Sequence, residues 1–375
     1  METIIGLDIG TYNIKAVSVE KSKTNILLRK YVVSASNGLY DKIISGSADE
    51  NAQAVAFIKH FIKEHALNTD KVVATIPENK VFSKVITMPY IDGKGFRRAV
   101  EWESEQHLPQ ALSEVYLKYT ILHKQGIDSN DAGRELLEKY LPSLSSKFMK
   151  EGEHPTALAD ILIVAVNRNL VERYLDVFSS AGLDTIGLEP VSISTIRSTI
   201  IESSDVSTLI LNWGYNSIDF YLSVGNKLRF VRTVNMGVGN FNRVLAQQLD
   251  ISATQANEYL YTYGFKEKEL NGKIKEIIMP VVALILEEYR KSEKYIIKKS
   301  FLKDKEDRIK RIILTGGGAL IPDVMLYLVG EVLPEVQLAK VWKKFDLSGV
   351  DTTDPRLELL GPMFAAAAGA ALKED

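Results

Sequence analysis

The sequence predicts an α/β protein of two related lobes, and three glycine-containing segments lead to that prediction. Residues 4–19 read as two short strands joined at a turn, Asp8-Ile9-Gly10-Thr11. Residues 207–224 repeat the pattern, with an apolar strand, a glycine turn and an alternating strand. A third segment runs from an apolar strand into Gly316-Gly317-Gly318. Two copies of one β-rich unit at wide separation indicate two related domains that face each other.

Length and composition are those of a folded globular protein. The chain has 375 residues, enough for two to three domains of about 150 residues each, and is 46% hydrophobic and 25% charged. A formal net charge of −2 gives no general attraction to nucleic acid or anionic lipid, and the lack of cysteine excludes disulfides and cysteine metal sites. Asp8 and Lys15 interrupt any signal-peptide core, and no apolar run is long enough to cross a bilayer, so we expect a cytoplasmic protein.

The tip of the first hairpin predicts a nucleotide site. Backbone N–H groups that are unobstructed by side chains at Gly10 would form an anion-binding concavity. Asp8 would repel a bare phosphate, but a carboxylate suits the hydrated cation of a phosphate–metal pair, so we expect Asp8 to reach Mg²⁺ through water. The residues expected to contact the nucleotide at this tip are Gly10, Thr11, Tyr12, Asn13 and Lys15.

The second hairpin and the triple glycine extend this predicted site. Two glycine-tipped hairpins that meet across a cleft would clamp phosphates from both sides. Three consecutive glycines would let the backbone approach a flat ligand where any Cβ would clash, so we expect an adenosine or sugar group beside them. The residues predicted to bind nucleotide in these two segments are Asn212, Gly214, Tyr215, Asn216, Ser217, Gly316, Gly317, Gly318 and Ala319.

Together these segments resemble the actin-like ATPase superfamily, which includes sugar kinases, heat-shock chaperones and actin. The hairpins look like its two phosphate motifs, and residues 315–319 look like its adenosine motif. Residues 187–192 and 361–371 resemble its two connecting helices, where small residues let the helices cross closely at the interdomain hinge. The resemblance implies an α/β actin-like fold, in which two ribonuclease H-like lobes enclose a cleft for ATP or ADP with Mg²⁺.

The same resemblance implies further site residues. Gly237-Val238-Gly239 fits the superfamily's ribose-and-phosphate loop. The helix that carries Glu288, Lys291 and Ser292 resembles the helix at the adenine edge. Glu189 matches the position at which chaperone relatives orient a water molecule, and it is the one candidate catalytic residue, without a visible base partner.

Departures from the superfamily pattern predict slow or absent hydrolysis. Asn212 stands where the second phosphate motif usually has an aspartate, and a neutral amide adds no negative charge for Mg²⁺. Asn257 and Leu260 stand where relatives often present charged contacts to the nucleotide. We therefore expect ATP binding with weak or no ATPase activity.

An insert in the first half indicates the branch of the superfamily. Residue patterns predict a strand at 81–88, a helix at 96–103, strands at 115–121 and 160–166, and a helix at 169–181. This β-α-β-β-α order resembles the extra subdomain of PilM-like type IV pilus assembly proteins and of their relative FtsA. Between its last two strands, residues 124–158 are predicted to be mainly loop.

These resemblances give the predicted domain boundaries. The first lobe comprises 1–76 and 182–204, the inserted subdomain 77–181, and the second lobe 205–375, with a helical subdomain at about 240–290.

The PilM-like resemblance also implies a function. Proteins of this family are cytoplasmic nucleotide-binding adaptors at the inner membrane that bind the N-terminal peptide of the membrane protein PilN and help to couple it to the pilus motor. A PilN-like partner is therefore expected, the motor ATPase or a platform protein is a further candidate, and self-association stays open. Two alternatives are a filament-forming protein like FtsA or MreB and a small-molecule kinase. The final residues, ALKED, lack the amphipathic helix expected of FtsA, which favours the pilus branch.

Overall fold

The computed structural model describes residues 2–91, 94–126, 155, 157–201, 206–299 and 308–374. Most of the predicted loop at 124–158 lies outside the described residues. The chain divides into two compact units, Met1–Glu78 with Arg173–Asp375, and Asn79–Glu172.

The chain forms short runs of strands separated by one or more helices. The strands are β1 (Glu2–Ile9), β2 (Asn13–Lys21), β3 (Ile26–Ala35), β4 (Lys71–Ile76), β5 (Val81–Tyr90), β6 (Val115–Gly126), β7 (Ala157–Asn167), β8 (Asp184–Pro190), β9 (Thr208–Trp213), β10 (Ile218–Val224), β11 (Lys227–Val234), β12 (Arg311–Thr315) and β13 (Glu335–Leu338). The helices are α1 (Leu39–Ser45), α2 (Ala48–Glu64), α3 (Lys94–Glu105), α4 (Arg168–Ser180), α5 (Val191–Thr199), α6 (Val238–Leu249), α7 (Ala253–Tyr263), α8 (Lys273–Lys298), α9 (Val324–Glu331), α10 (Pro355–Leu360) and α11 (Ala365–Ala371). Among the residues described, none of these helices has both the length and the apolar character needed to cross a bilayer.

Two sheets of the larger unit have the same topology. The first has the strand order β3-β2-β1-β4-β8 and the second has the order β11-β10-β9-β12-β13. In each sheet an antiparallel three-stranded meander continues into two parallel strands. The repeated order confirms the prediction of two related α/β lobes.

Each lobe has its own core. Ile4, Ile5 and Leu7 of β1 are almost fully buried, and such continuous burial is the pattern of a strand whose sheet is covered on both faces. In the second lobe, α6, α7 and α8 supply apolar side chains to a core around Trp213 and Phe241. The two sheets are therefore rigid supports for the turns at their ends.

Helices α5 and α11 cross with their backbones in contact. A Cβ added to Gly369 would collide with the backbone carbonyl of Ser194, and one added to Gly6 of β1 would collide with the carbonyl of Ala367. Ser198 Oγ also donates a hydrogen bond to the carbonyl of Ala365 at 2.7 Å. Small residues thus permit the close crossing that the sequence predicts for the two connecting helices.

Segments within residues 341–374 pack on the first sheet, although the predicted second lobe, 205–375, includes them. The N–H of Leu28 donates to the carbonyl of Asp346 and the N–H of Asp346 donates to the carbonyl of Ile26, both at 2.9 Å. The Trp342 ring centroid lies 5.4 Å from that of Tyr31 in β3. The sequence pattern could not show this, because an alanine-rich helix such as α11 has no apolar face to distinguish one sheet from the other. The predicted domain boundaries, including the second lobe at 205–375, stay predictions.

The smaller unit is a sheet with a helix on one face. Its strand order is β5-β7-β6, antiparallel throughout. Phe96, Ala99 and Val100 of α3 pack against Met88 of β5 and Ile161 of β7. Strands β5, β6 and β7 with helices α3 and α4 follow the predicted β-α-β-β-α order.

Candidate functional site

The tip of the first hairpin presents unpaired backbone donors. The turn closes when the N–H of Gly10 donates to the carbonyl of Asn13 at 3.0 Å. Ser36 fixes the tip from behind, because its N–H donates to the carbonyl of Tyr12 at 2.9 Å and its Oγ donates to the carbonyl of Thr11 at 2.8 Å. Within the described part of the chain, the N–H groups of Thr11 and Tyr12 donate no hydrogen bond. Such a turn is suited to an anion.

The second hairpin repeats this turn. The N–H of Gly214 donates to the carbonyl of Ser217 at 2.8 Å, with the same three-residue spacing as in the first hairpin. The N–H groups of Tyr215 and Asn216 likewise have no acceptor among the described residues. The structure therefore places unpaired donors at both of the tips that the sequence predicts to hold phosphates.

Asp8 and Lys15 come together as an ion pair. Lys15 Nζ donates to Asp8 Oδ2 at 2.5 Å, and Thr75 Oγ1 donates to Asp8 Oδ1 at 3.0 Å. Both carboxylate oxygens of Asp8, the residue predicted to face Mg²⁺, therefore already accept hydrogen bonds within the protein. Among the described residues, no group of three or more His, Cys, Asp or Glu could hold a metal ion. The chain itself fits a resident Mg²⁺ poorly, so a cation here would depend on the phosphates of the nucleotide for its ligands.

The predicted ribose-and-phosphate loop supports the second hairpin. The N–H of Gly239 donates to the carbonyl of Tyr215 at 2.8 Å, and the N–H of Val238 donates to the carbonyl of Gly214 at 3.0 Å. The N–H of Gly237 donates to Asn240 Oδ1 at 3.0 Å. All three N–H groups are therefore already used within the protein. A Cβ on Gly239 would lie 3.0 Å from Cε1 of Tyr215, so this glycine makes room for the tyrosine ring.

Trp213 explains two of the three consecutive glycines. Gly316 has a φ of +80°, and a Cβ there would lie 2.5 Å from the carbonyl oxygen of Trp213. A Cβ on Gly318 would fall on the buried indole ring of the same tryptophan. Gly317 is different, because its nearest neighbour would be Tyr261 Oη at 3.3 Å. Of the three glycines, only Gly317 is therefore left available for close approach of a ligand.

Asn212 belongs to a buried polar network rather than to an open metal site. Its Nδ2 donates to Asp219 Oδ2 at 3.4 Å and to Tyr221 Oη at 3.3 Å, and its Oδ1 accepts from Thr315 Oγ1 at 3.2 Å. Thr233 Oγ1 donates to Asp219 Oδ1 at 2.7 Å. Burial raises the pKa of Asp219, although these hydrogen bonds act in the opposite direction. A second carboxylate at position 212 would therefore face Asp219.

Glu78 is a buried carboxyl group that the sequence analysis missed. It follows β4, and its Oε2 accepts a hydrogen bond from the N–H of Ser192 in the first turn of α5 at 3.0 Å. Its Oε1 is buried and has no partner among the described residues. Burial, followed by the charge of Asp219, raises the pKa of Glu78 to about 8. The sequence could not predict this burial, because a single glutamate after a strand is usually exposed to solvent.

Glu189 is fully engaged in the hinge. Arg197 Nη1 donates to its Oε1 at 2.5 Å, Arg197 Nη2 donates to its Oε2 at 2.9 Å, and Ser194 Oγ also donates to Oε1. Both oxygens of the candidate catalytic residue thus have strong partners. This geometry favours a positioning role in the hinge over the orientation of water.

The residues predicted at the adenine edge lie on α8. Glu288 pairs with Arg232 and with Lys291, and the lysine lowers the pKa of this carboxyl. Ser292 is buried, and its Oγ donates to the carbonyl of Glu288 at 2.8 Å, so its side chain is not available to a ligand. Of the two positions that lack the expected charge, Asn257 accepts from Asn242 Nδ2 at 2.9 Å and Leu260 is buried in the core.

Three tyrosines converge between the two hairpins and the triple glycine. The rings of Tyr12 and Tyr215 stack, with centroids 4.4 Å apart and planes 15° from parallel. Tyr261 of α7 donates from its Oη to the carbonyl of Gly317 at 3.1 Å. Burial raises the pKa of Tyr261 to about 12, and Tyr12 and Tyr215 contribute to that rise. The ring contact between the hairpins could not be read from the sequence.

Comparison with protein families identifies the branch. A model of the family described as type IV pilus assembly protein PilM matches residues 6–137 and 146–375. No curated protein sequence matches the chain. The family match confirms the predicted PilM-like resemblance.

Solved structures confirm the fold. A structure described as a PilM-PilN type IV pilus biogenesis complex is similar with a TM-score of 0.77 and 21% identity, covering 98% of this chain and 97% of that one. The ethanolamine utilization protein EutJ from Carboxydothermus hydrogenoformans is similar with a TM-score of 0.54 and 13% identity, covering 99% of this chain and 90% of that one. MreB5 of Spiroplasma citri bound to AMPPNP is similar with a TM-score of 0.51 and 11% identity, covering 99% of this chain and 96% of that one. At these identities the similarity shows the fold alone, which is the predicted actin-like fold.

Proposed function

Because the chain belongs to the PilM family of type IV pilus assembly proteins, we propose that it is a nucleotide-binding adaptor of the pilus assembly platform. The observation that carries the nucleotide part is the pair of matching turns. Thr11 and Tyr12 on one lobe, and Tyr215 and Asn216 on the other, each offer N–H groups without an acceptor among the described residues. Two such turns on facing lobes suit a di- or triphosphate.

ATP or ADP is the proposed ligand. The two hairpin tips would hold its phosphates, with Lys15 as a cation beside Gly10 at the first tip, and Gly317 would let the purine or ribose approach the backbone. The structural relative MreB5, described as bound to AMPPNP, has the same fold and supports this choice of ligand. Mg²⁺ would neutralise phosphate charge, with Asp8 reaching it through water only if the ion pair with Lys15 loosens.

Hydrolysis is expected to be slow or absent. Glu189 is held by Arg197, so it is poorly placed to accept a proton from water. Asn212 brings no charge to a metal and is bonded to Asp219. The nucleotide would then act as a ligand that sets the relation between the lobes rather than as a substrate.

A PilN-like membrane protein is the proposed partner. The solved structure described as a PilM-PilN complex supports a partner of this class. The family resemblance implies that the bound segment is the N-terminal cytoplasmic peptide of that partner. Such a partner would bring this chain to the cytoplasmic face of the inner membrane, where it would link the peptide to the pilus motor. A disordered tail that becomes ordered on a preformed surface binds with modest affinity.

Calorimetric titration tests the proposal. The full chain is titrated with a synthetic peptide from the N-terminal segment of a PilN-like protein of the same organism, with and without ATP, and with a scrambled peptide as the control. The native peptide is expected to bind, and the scrambled peptide is not. Failure of the native peptide to bind in both conditions would contradict the adaptor assignment.

A further inference from the structure

The stacked rings of Tyr12 and Tyr215 directly connect the two lobes. Tyr12 lies in the turn between β1 and β2, and Tyr215 lies in the turn between β9 and β10. Their centroids are 4.4 Å apart and their planes differ by 15°, so the two ring faces are in contact. Each ring therefore belongs to the turn whose backbone donors are proposed to bind phosphate.

Hydrogen bonds hold the backbone of both turns that carry the rings. Ser36 binds the carbonyls of Thr11 and Tyr12, so the first turn cannot shift without breaking two hydrogen bonds. The carbonyl of Tyr215 accepts from the N–H of Gly239, and the ring lies against that glycine. The stack thus joins two rigid turns rather than two mobile loops.

The stack and a bound phosphate compete for the same space. A phosphate that accepts hydrogen bonds from the free N–H groups of both turns would lie between the turns, where the two rings are now in contact. The Tyr12 side chain is 45% exposed, so its ring can swing into solvent without opening a core. An aromatic pair of this geometry is strong enough to hold a preferred arrangement and weak enough for a charged ligand to displace.

We propose that Tyr12 and Tyr215 form a latch that holds the two hairpins together when no nucleotide is bound, and that the phosphates of an entering nucleotide separate the rings. The second half of this inference rests on the proposed function, whereas the first half depends only on the ring contact. The latch is a regulatory feature of the proposed site, since it couples nucleotide entry to the relation between the lobes.

Spin-label distances test the latch without nucleotide. The chain has no cysteine, so Gln53→Cys on α2 and Gln247→Cys on α6, both exposed, give one label on each lobe. Tyr12→Ala in this background is expected to broaden the distance distribution and shift it to longer values. Tyr12→Phe keeps the ring and should retain the parent distribution. A parent-like distribution for Tyr12→Ala would overturn the latch.

Titration with a fluorescent ATP analogue tests the competition. Tyr12→Ala is expected to bind roughly 2- to 10-fold more tightly than the wild type, because no stacking contact has to be broken. Tyr12→Ala with Tyr215→Ala should bind no more tightly than the single variant, since one contact is lost in either case. Tyr259→Ala removes an exposed tyrosine that pairs with Tyr263 on α7, and it should leave the affinity unchanged.

The outcomes separate the two proposals. Wild-type binding with equal or weaker binding by Tyr12→Ala would overturn the competition and leave the proposed function standing. Absence of binding by every variant would overturn the nucleotide part of the proposed function together with the competition, while the spin-label distances would still decide whether the rings hold the lobes together.

Discussion

Arg197 and Glu189 form a two-point ion pair inside the hinge. The guanidinium donates to both carboxylate oxygens, at 2.5 and 2.9 Å, and it also donates to the carbonyl of Gly369 at 2.6 Å. One side chain therefore joins β8, α5 and α11. Glu189 is largely buried, so the guanidinium compensates the cost of burying this carboxylate.

Removal of the Arg197 side chain should destabilise the protein strongly. Arg197→Ala leaves a buried carboxylate without its cation, and we expect the free energy of unfolding to fall by about 3 kcal/mol. Arg29→Ala is the matched control, because it breaks an ion pair with Glu20 whose arginine is 50% exposed, and it should cost less than about 1 kcal/mol. Urea denaturation of both variants makes the comparison, and equal losses would contradict the structural role of the hinge pair.

Gly318 and Gly317 should respond differently to added side chains. Gly318→Ala places a methyl group on the Trp213 ring and should lower the free energy of unfolding by about 1–3 kcal/mol. Gly317→Ala meets only the hydroxyl of Tyr261 and should stay within about 0.5 kcal/mol of the wild type. Chemical denaturation distinguishes the two.

Gly317 also allows a binding test on a folded variant. Gly317→Val should weaken ATP binding at least tenfold while the melting temperature stays close to that of the wild type. Gly330→Val, at a position with open space around it, serves as the control for a β-branched substitution. Unchanged ATP affinity in Gly317→Val would show that the nucleotide does not approach the backbone here.

The stability of the protein should depend on the ionisation of Glu78. Its pKa is raised in the folded state from 4.5 to about 8. The folded state therefore retains a proton that the unfolded state has lost, and the stability from this group is fully present below about pH 4.5 and is lost as the pH rises through about 8. Glu78→Gln carries no charge and should be more stable than the wild type by roughly 4 kcal/mol at pH 8, since each pKa unit corresponds to about 1.4 kcal/mol.

Thermal melts at pH 4, 6 and 8 measure this dependence. The advantage of Glu78→Gln should vanish at pH 4 and grow towards pH 8. The exposed Glu258→Gln is the control and should follow the wild type at each pH. A constant difference between Glu78→Gln and the wild type would rule out the linkage.

An aspartate at position 212, as the superfamily's second phosphate motif would have it, should harm the fold. Asn212→Asp would replace a donor to Asp219 by a second carboxylate about 3.4 Å away. We expect a loss of roughly 2 kcal/mol or more at pH 8 and a smaller loss at pH 4, where protonation of one carboxyl relieves the repulsion. Asn216→Asp at the exposed tip is the control. Equal stability of Asn212→Asp and the wild type at pH 8 would contradict the network described for Asp219.

The architecture could be predicted from local patterns. Glycine between an apolar and an alternating strand specifies a hairpin, and the recurrence of this unit around Gly10 and Gly214 revealed the duplication. The spacing of apolar residues likewise gave the order of elements in the insert. These signals are short-range, so a single sequence contains them.

The chemistry of the site depended on contacts that sequence patterns do not contain. Gly318 suggested a flat ligand, but the structure places the Trp213 ring against it. Glu189 suggested catalysis, but Arg197 occupies both of its oxygens. Tyr12 and Tyr215 lie about two hundred residues apart, and only the folded chain shows that their rings meet.

The insertion of α11 against β1 has a consequence for synthesis on the ribosome. Gly6 is translated some three hundred and sixty residues before its neighbour Ala367. Until then, the part of the first sheet that α11 covers stays exposed on the growing polypeptide, and exposed apolar surface favours premature association.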